Sequence, residues 1–384
     1  MDFLFTPEQL AFREQVLKFT IKELAPLAEE MDLKSEWSWE AWRAMGRFGL
    51  LGLHFPEKYG GANADVVTTC VAGEALGEGG ADGGLLLAYG AHSFLCSDTI
   101  MKHGAEEQKE KYLPKLATGE WVGAMALTEP NAGSDAASIK TRAARDGDYY
   151  LLNGTKMFIT NGPIADVIVV FAVTNKDAGP MGISAFIIEK NTPGFQVGKV
   201  LHKMCVRSSQ TSELIFDNAK VPASNLLGAE GYGFVIALGA LEWDRSALLA
   251  PGVGAAKRIL KECAKHSNER KQFGRPISRF QAIQHKLADI RIYYEATRLL
   301  VYRVAWKKDQ GQMLNHMEAS VSKLYLGEQG MLAASDALQI FGGYGLMHEY
   351  PVEQYFRDTK LSSIGGGTSE IQRLIISRTI LGEK

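Results

Sequence analysis

The spacing of apolar residues changes twice along this 384-residue chain, and this change constrains the fold more than any other feature. Up to about residue 120, apolar residues recur at helical spacing, as Leu17, Ile21 and Leu24 do. Further along, short β-branched and aromatic runs bounded by Gly, Pro and Asn are typical of strands. Helical spacing then returns and continues to the end. The predicted domains are a helical one at 1–120, a β one at 121–232 and a helical one at 233–384.

Local signals place several of the helices. Thr6, Pro7 and Gln9 have the spacing of a capping box with proline at the first helical position. Further N-terminal helices are predicted around 37–48, 66–76 and 103–116. Four long stretches with helical spacing and short connections predict a C-terminal four-helix bundle. These stretches are 234–268, 280–308, 315–341 and 368–380.

The middle segment predicts an antiparallel sheet. Its apolar runs include Val167–Val173, Ser184–Glu189 and Ser212–Phe216. Asn153-Gly154 is a common hairpin-turn pair, so it is predicted to join strands at 149–152 and 155–160. No helix long enough for a parallel crossover separates these runs. A compact antiparallel barrel or sandwich therefore fits better than a doubly wound sheet.

Composition excludes several classes of function. The 42 Lys and Arg nearly cancel the 44 Asp and Glu, giving a net charge of −2, so a nucleic-acid partner is disfavoured. The four cysteines are scattered without a paired motif, which argues against a disulfide scaffold or a zinc site. No secretory signal and no apolar run of about eighteen residues is present. We expect a metal-free cytoplasmic protein.

Three glycine-containing segments could carry chemistry, and each also has a purely structural interpretation. Leu127–Asp135 is either a connecting turn or a loop whose free N–H groups face a polar ring or phosphate. Glu269–Gly274 is either a solvated helix end or a basic clamp for a pyrophosphate. Gly365–Arg373 is either a loop with a helix cap or an anion site at a helix N-terminus. By contrast, Gly252–Lys257 lacks a preceding strand and indicates tight helix packing.

Taken together and in this order, the motifs resemble the acyl-CoA dehydrogenase family over essentially the whole chain. The resemblance rests on Leu127–Asp135, Phe158–Thr160, Arg270–Gly274, Gln339–Gly343 and Gly367–Arg373. Tyr89–Ser93 and the position of the catalytic base suggest similarity to the isovaleryl-CoA dehydrogenase branch. Membership implies a helical domain, a middle antiparallel β-barrel and a C-terminal four-helix bundle. It also implies FAD, a homotetramer and an electron-transfer flavoprotein as acceptor.

The resemblance implies a role for individual positions. Thr128 would lie near the reactive edge of the flavin, and Ser134 would also approach the thioester substrate. Gln339, Gly342 and Gly343 would reach FAD from a neighbouring subunit. The full set of positions implied to bind FAD is Met125, Leu127, Thr128, Gly133, Ser134, Phe158, Ile159, Thr160, Arg270, Gln272, Phe273, Gln281, Gln339, Gly342, Gly343, Thr368 and Glu370.

The sequence departs from the family at the base. Many members place a Glu in the loop before Gly-Thr-Ser, where this chain has Gly366, beside Gly367. The isovaleryl-type branch uses a Glu on a bundle helix, and Asp244 occupies that position here. Asp is one methylene shorter, so it would have to lie closer to the α-carbon. One explanation is a substrate with a displaced α-carbon, such as a branched or cyclic acyl group given room by Gly366 and Gly367. The alternatives are that Asp244 only pairs with a neighbour and that Glu242, or no residue, is the base.

Arg245 would hold the CoA part of the substrate, and His92 and Ser93 are interpreted as structural groups rather than catalytic ones. The predicted activity is FAD-dependent α,β-dehydrogenation of a short, branched or cyclic acyl-CoA. Two alternatives stay open. The acyl group could be attached to a carrier protein instead of CoA, or the chain could bind flavin without acting as a dehydrogenase.

Overall fold

The computed structural model describes residues 4–244, 247–312 and 316–382, and the side chains of 242–244 and 316 lie outside the described part. The order of elements is helices, then strands, then helices, which confirms the predicted fold class. Helices predominate, and the sheet lies in the middle of the chain.

The helices predicted around 37–48, 66–76 and 103–116 begin and end close to those positions, whereas three other N-terminal helices, at Ala25–Lys34, Gly83–Gly90 and Asp98–His103, were not predicted. Thr6 accepts from the Gln9 backbone while the Gln9 side chain accepts from the Thr6 backbone, so the predicted capping box is confirmed. Gly119 ends the last helix with a left-handed φ of 75°. The helices are α1 Pro7–Phe19, α2 Ala25–Lys34, α3 Trp39–Phe48, α4 Val66–Gly79, α5 Gly83–Gly90, α6 Asp98–His103 and α7 Glu106–Thr118, with π-helical turns at Thr20–Leu24 and Ala91–Ser97.

The middle segment forms one sheet of eight strands. They are β1 Gly123–Ala126, β2 Arg142–Asp146, β3 Tyr149–Thr160, β4 Val167–Val173, β5 Ile183–Glu189, β6 Phe195–Val200, β7 Thr211–Pro222 and β8 Leu226–Leu227. Their order is β6-β7-β3-β2-β4-β5-β8, with β1 beside β4. Most pairings are antiparallel, but β4 pairs in parallel with both β1 and β2. Among the described strands no pairing joins β6 to β8, so the sheet is not shown to close into a barrel.

The predicted hairpin at Asn153-Gly154 is wrong. Tyr149–Thr160 is one continuous strand that pairs with β2 on one side and β7 on the other. A Cβ on Gly154 would lie 2.4 Å from the Thr141 hydroxyl, so this glycine permits a close approach of two backbones. Asn153-Gly154 has the composition of a turn, but pairing of β3 with β2 and β7 keeps the chain extended there.

The C-terminal segment is helical, with two differences from the prediction. The stretch predicted as one helix over 234–268 contains two α-helices, and the short helix Pro351–Thr359, after the turn at Gly342–Leu346, was not predicted. The elements are α8 Gly233–Asp244, α9 Ala250–Glu269, the two-residue strands β9 Lys271–Gln272 and β10 Arg275–Pro276, α10 Gln281–Asp309, α11 His316–Phe341, α12 Pro351–Thr359 and α13 Ser369–Leu381.

Helices from the two ends of the sequence share one hydrophobic core. Trp42 and Leu76 from the N-terminal helices belong to the same buried cluster as Val253 and Tyr293. Helices α4 and α9 approach closely, since a Cβ on Gly254 would lie 1.9 Å from a carbonyl oxygen of α4. This contact confirms the packing role predicted for Gly252–Lys257. A second and a third core fill the two faces of the sheet.

Two expectations of absence concern the described residues only. Within them, no helix is long and apolar enough to span a membrane. The same part of the chain contains no cluster of three or more His, Cys, Asp or Glu side chains arranged to hold a metal ion. All four cysteines are free thiols.

Candidate active site

The end of β3 presents an aromatic side chain in an unusual conformation. Phe158 has a left-handed φ of 61° and its side chain is 67% exposed. The pairing of β3 with β7 is interrupted between Lys156 and Ile159, so Met157 and Phe158 lie outside the regular ladder. A bulky residue with positive φ costs free energy and is concentrated at functional sites. Phe158, the buried Ile159 and the half-buried Thr160 therefore form a shaped surface at the strand end.

The loop after β1 lies against this strand end. The Met157 amide donates to the Thr128 carbonyl at 2.9 Å, and the Lys156 ammonium donates to the Leu127 carbonyl at 3.0 Å. Met125 lies on β1 and is half-buried. The structure thus brings Met125, Leu127 and Thr128 together with Phe158–Thr160, as the sequence motifs predict. We call these residues the β3-end cluster.

A buried ion pair joins the two parts of the β3-end cluster. The Lys156 ammonium lies 2.8 Å from a Glu129 carboxylate oxygen, and the two side chains are 0% and 8% exposed. Burial lowers the pKa of Lys156 to about 8, although Glu129 opposes this shift. Burial also raises the pKa of Glu129, but the Lys156 charge and several hydrogen bonds outweigh it and the net pKa is lowered. The short contact between the ammonium and the carboxylate is that of an ion pair. Lys156 was not predicted, although a lysine in phase with the buried Tyr150 and Leu152 was a visible signal.

Asn161 follows the cluster and connects three parts of the fold. Its backbone has a left-handed φ of 66°, and its side chain is fully buried. The side-chain amide donates to the carbonyls of Ala88 on α5, at 2.9 Å, and of Gly123 on β1, at 3.0 Å. Its backbone amide donates to the Gln210 carbonyl at 2.7 Å. This residue, also not predicted, fixes β3 relative to α5 and β1.

His92 and Ser93 are structural, in line with their sequence interpretation. The His92 Nδ1 accepts from the Gly123 amide at 2.9 Å, so its Nε2 carries the proton and donates to the Leu116 carbonyl at 2.9 Å. Burial lowers the pKa of His92 to about 4, which keeps the ring neutral. The Ser93 hydroxyl donates to the Leu51 carbonyl. Both residues lie in the π-helical turn, where His92 holds β1 in place and Ser93 bonds to the segment after α3.

Gly133 and Ser134 lie at the exposed end of the loop after β1. Glu129 and Ala132 exchange backbone hydrogen bonds of 3.0 and 3.1 Å, which closes a tight turn. The two residues that follow the turn, Gly133 and Ser134, are exposed to solvent. The turn interpretation of this motif is correct, and it leaves the binding interpretation open.

A second group of predicted residues lies at the end of α9. Strands β9 and β10 form an exposed hairpin: Arg270 precedes it, Gln272 lies in β9, and Phe273 lies in the turn with a φ of 52° and 92% exposure. The Arg270 guanidinium lies 5.2 Å from the centre of the Tyr344 ring, just after α11. The hairpin is therefore adjacent to Gln339, Gly342 and Gly343, which are exposed at the end of α11, and Gln281 is exposed at the start of α10.

The third group is the glycine loop before α13. Gly366 and Gly367 have left-handed φ values of 62° and 93°, and Thr368 caps α13 by accepting from the Ile371 amide. The buried Lys323 donates to the Gly367 carbonyl at 2.6 Å, and Gln372 donates to it at 3.0 Å. Neither of these two contacts was predicted. A cavity of about 470 Å³ adjoins the loop, and Thr368 and Glu370 line it.

Asp244 is the last residue of α8, but its side chain lies outside the described part of the structure. Arg245 lies outside it altogether. The proposed base and the proposed CoA contact therefore have no described geometry. Gly366 itself cannot act as a base, since it has no side chain, and its left-handed backbone would be strained with any larger residue.

Relatives of this chain match it along nearly its whole length. Family models for the acyl-CoA dehydrogenase N-terminal, middle and C-terminal domains match residues 6–120, 124–219 and 231–381. An acyl-CoA dehydrogenase of Bacillus subtilis is 47% identical, covering 98% of this chain and 99% of its own. The mitochondrial isovaleryl-CoA dehydrogenase of Oryza sativa is 42% identical, covering 100% of this chain and 93% of its own.

Solved structures show the same architecture. Butyryl-CoA dehydrogenase from Megasphaera elsdenii superposes with a TM-score of 0.95 at 42% identity, covering 99% of this chain and 100% of that one. A prolyl acyl carrier protein oxidase superposes with a TM-score of 0.96 at 38% identity, covering 98% and 100%. The three domain models match in the order of the helical, sheet and helical segments, and the relatives are similar over their full length. The chain belongs to the acyl-CoA dehydrogenase family, whose members are FAD-dependent oxidoreductases.

Proposed function

We propose that this enzyme introduces an α,β double bond into a short, branched or cyclic acyl-CoA, of the isovaleryl or cyclohexanecarboxyl type, with Asp244 as the base. The observation that carries the substrate class is the glycine loop. Gly366 and Gly367 have left-handed backbones and no side chains where many relatives place the base. The loop therefore offers space instead of a carboxylate, and the nearest alternative in the family pattern is the end of α8.

The β3-end cluster has the features of a flavin site. Phe158 offers an exposed aromatic face, and Thr160 and Thr128 of the same cluster carry hydroxyl groups. A flavin ring has an apolar face with a polar edge, so this combination of residues suits it. FAD, when bound, accepts the β-hydrogen of the substrate together with two electrons. We assign the β3-end cluster, Gly133 and Ser134 to the flavin, and Ser134, Gly366 and Gly367 to the substrate.

The chain's own groups perform the remaining steps. A carboxylate at Asp244 takes the α-proton, and exclusion of water from the closed site would raise its pKa and strengthen it as a base. The neutral His92 holds β1, and Asn161 ties β1 to β3, so both parts of the β3-end cluster keep their positions. Arg245 would bind the CoA part of the substrate by charge.

The other FAD contacts and the assembly are part of the same proposal. The exposed hairpin with Arg270, Gln272 and Phe273 would hold the pyrophosphate and adenosine, together with Gln281, Thr368 and Glu370. Gln339, Gly342 and Gly343 would serve the FAD of a neighbouring subunit in a homotetramer. Large apolar side chains exposed on the C-terminal helices support such an assembly: Leu332, Ile380 and Leu381 are 62%, 71% and 69% exposed. An electron-transfer flavoprotein would take the electrons. The change from helices to strands and back supports domains at 1–120, 121–232 and 233–384.

Asp244→Asn tests the base directly. The variant should keep FAD but lose α-proton exchange and the bleaching of flavin absorbance by a panel of linear, branched and cyclic acyl-CoAs under anaerobic conditions. General base catalysis contributes about a hundredfold to ten-thousandfold, so a loss of this size is expected. Glu242→Gln is the matched control and should remain active. Retained turnover in Asp244→Asn, or loss only in Glu242→Gln, would refute the assignment.

A second candidate is oxidation of an acyl group carried on a protein. It is favoured by the close structural similarity to a prolyl acyl carrier protein oxidase. Free CoA added to the holoenzyme separates the two. A change in the flavin spectrum on titration with CoA supports an acyl-CoA substrate. An unchanged spectrum, with turnover only of carrier-bound acyl groups, supports the second candidate.

A further inference from the structure

The Lys156–Glu129 ion pair is one of the most deeply buried charged contacts of the sheet domain, and the dehydrogenation chemistry does not use it. The Lys156 side chain is 0% exposed, and its ammonium donates both to Glu129, at 2.8 Å, and to the Leu127 carbonyl, at 3.0 Å. The ammonium group of a lysine is normally exposed to water. Here two protein oxygen atoms take the place of the water molecules that would solvate it.

Glu129 extends the contact to a third segment. Its carboxylate also accepts from the backbone amides of Lys140, at 2.6 Å, and Thr141, at 2.9 Å. The pair therefore joins three segments: the loop after β1, the approach to β2, and β3. The Met157 amide, one residue beyond Lys156, donates to the Thr128 carbonyl at 2.9 Å and continues the same contact. Thr128 and Phe158 are thus held on either side of this set of hydrogen bonds.

Stability alone is a weak reason for such an arrangement. Taking two charges out of water costs free energy, and apolar residues of similar volume often stabilise a core equally well. A hydrogen-bonded ion pair differs from an apolar contact in fixing the direction and the register of the groups it joins. Here those groups are two backbone segments of the β3-end cluster.

We propose that Lys156 and Glu129 are positioning residues that hold the Leu127–Thr128 segment against the end of β3 and so preorganise the flavin surface. This inference rests on the proposed function, because it takes the β3-end cluster as the flavin site. Without the ammonium, the Leu127 carbonyl loses its donor and the Glu129 carboxylate loses its counter-charge. The loop after β1 is then no longer fixed to β3. FAD must order this loop when it binds, which weakens its binding.

Lys156→Met tests the proposal in the full-length holoenzyme. FAD release on dilution is followed by flavin fluorescence, and the unfolding of the same protein is followed by circular dichroism. Loss of a hydrogen bond to a charged group corresponds to about tenfold to a hundredfold weaker binding, and we expect the dissociation constant for FAD to rise by this factor. The absorption bands of the FAD that remains bound should also lose their fine structure, because the flavin is held less uniformly. Lys156→Gln keeps a donor and should recover part of the affinity.

Lys111→Met is the matched control, since Lys111 pairs with Glu189 at 2.6 Å and the two side chains are 54% and 36% exposed, far more than those of Lys156 and Glu129. The dissociation constant of Lys111→Met for FAD should stay within about twofold of the wild-type value, the range expected for an exposed pair. If Lys156→Met and Lys156→Gln bind FAD as tightly as Lys111→Met, with unchanged spectra, the proposal is overturned even if both are less stable. If Lys156→Met does not fold, the affinity of Lys156→Gln decides in the same way. A wild-type protein that binds no FAD would instead overturn the proposed function.

Discussion

Asn161 provides the sharpest test of how the site is held together. Its side-chain amide makes two buried hydrogen bonds, to Ala88 and Gly123, and its φ of 66° lies in the left-handed region. Asn161→Gly removes both hydrogen bonds but adopts the same backbone without strain. Two buried carbonyls that lose their donor predict a loss of about 2 to 4 kcal/mol in the free energy of unfolding.

Two further substitutions separate the contributions. Asn161→Ala removes the same hydrogen bonds but, unlike Asn161→Gly, keeps a Cβ in the left-handed region, so it should cost about 1 kcal/mol more than Asn161→Gly. Asn161→Asp places a carboxylate beside two carbonyl oxygens, which raises the pKa of the introduced group. Because its pKa is raised in the folded state, this variant should be most stable at low pH and lose stability as the pH rises through that pKa.

Urea unfolding at pH 5 and pH 8, followed by circular dichroism, measures all three. Asn153→Ala is the control, because Asn153 bonds to Asn218 at the exposed surface, and it should change stability by no more than about 0.5 kcal/mol. Equal stabilities of the Gly and Ala variants would show that the left-handed backbone carries no cost. A pH-independent Asn161→Asp would show that the amide group does not face the two carbonyls.

Two other predictions concern buried titratable groups. Burial lowers the pKa of His92 to about 4, so its neutral form contributes stability above pH 6.5 that is lost as the pH falls toward 4. In urea unfolding, His92→Leu should be less stable than wild type at pH 7, and its stability should decline less steeply as the pH is lowered. An unchanged acid decline would contradict this. Burial raises the pKa of Asp358 to about 7, and its carboxyl accepts from the Val206 amide at 2.6 Å. The contribution of Asp358 to stability therefore falls as the pH rises from about 4 to 7. Asp358→Asn, measured against wild type in the same titration, should gain relative stability over that range, and a parallel pH profile would refute this.

Part of the fold and part of the site were predictable because the sequence signals for them are local. A hydroxyl before a proline and a glutamine predicted the cap at Thr6, and the Gly-Thr-Ser sequence predicted the cap at Thr368. The loop after β1 and the end of β3 were identified from short motifs, and the structure places them in contact through Thr128 and Met157. These features depend on residues within a few positions of one another, which a sequence displays directly.

Other predictions from the sequence were wrong, for a physical reason. Asn153-Gly154 has the composition of a hairpin turn, but pairing with two neighbouring strands kept the chain extended through it. The break within 234–268 and the helix Pro351–Thr359 were likewise missed, because packing against other helices, rather than intrinsic preference, sets where such elements begin and end.

The sequence by itself determined the order of helices and strands and the family, and it shows a glycine at position 366, where the family resemblance led us to expect a carboxylate. Each of these is encoded in periodicity or in residue identity. Only the tertiary structure decided that Lys156 and Glu129 form a buried pair, that Asn161 joins three elements, and that the N- and C-terminal helices share one core. Such contacts join residues that are tens to hundreds of positions apart. A buried charge or amide acquires its partner only when the chain folds, because water satisfies it until then.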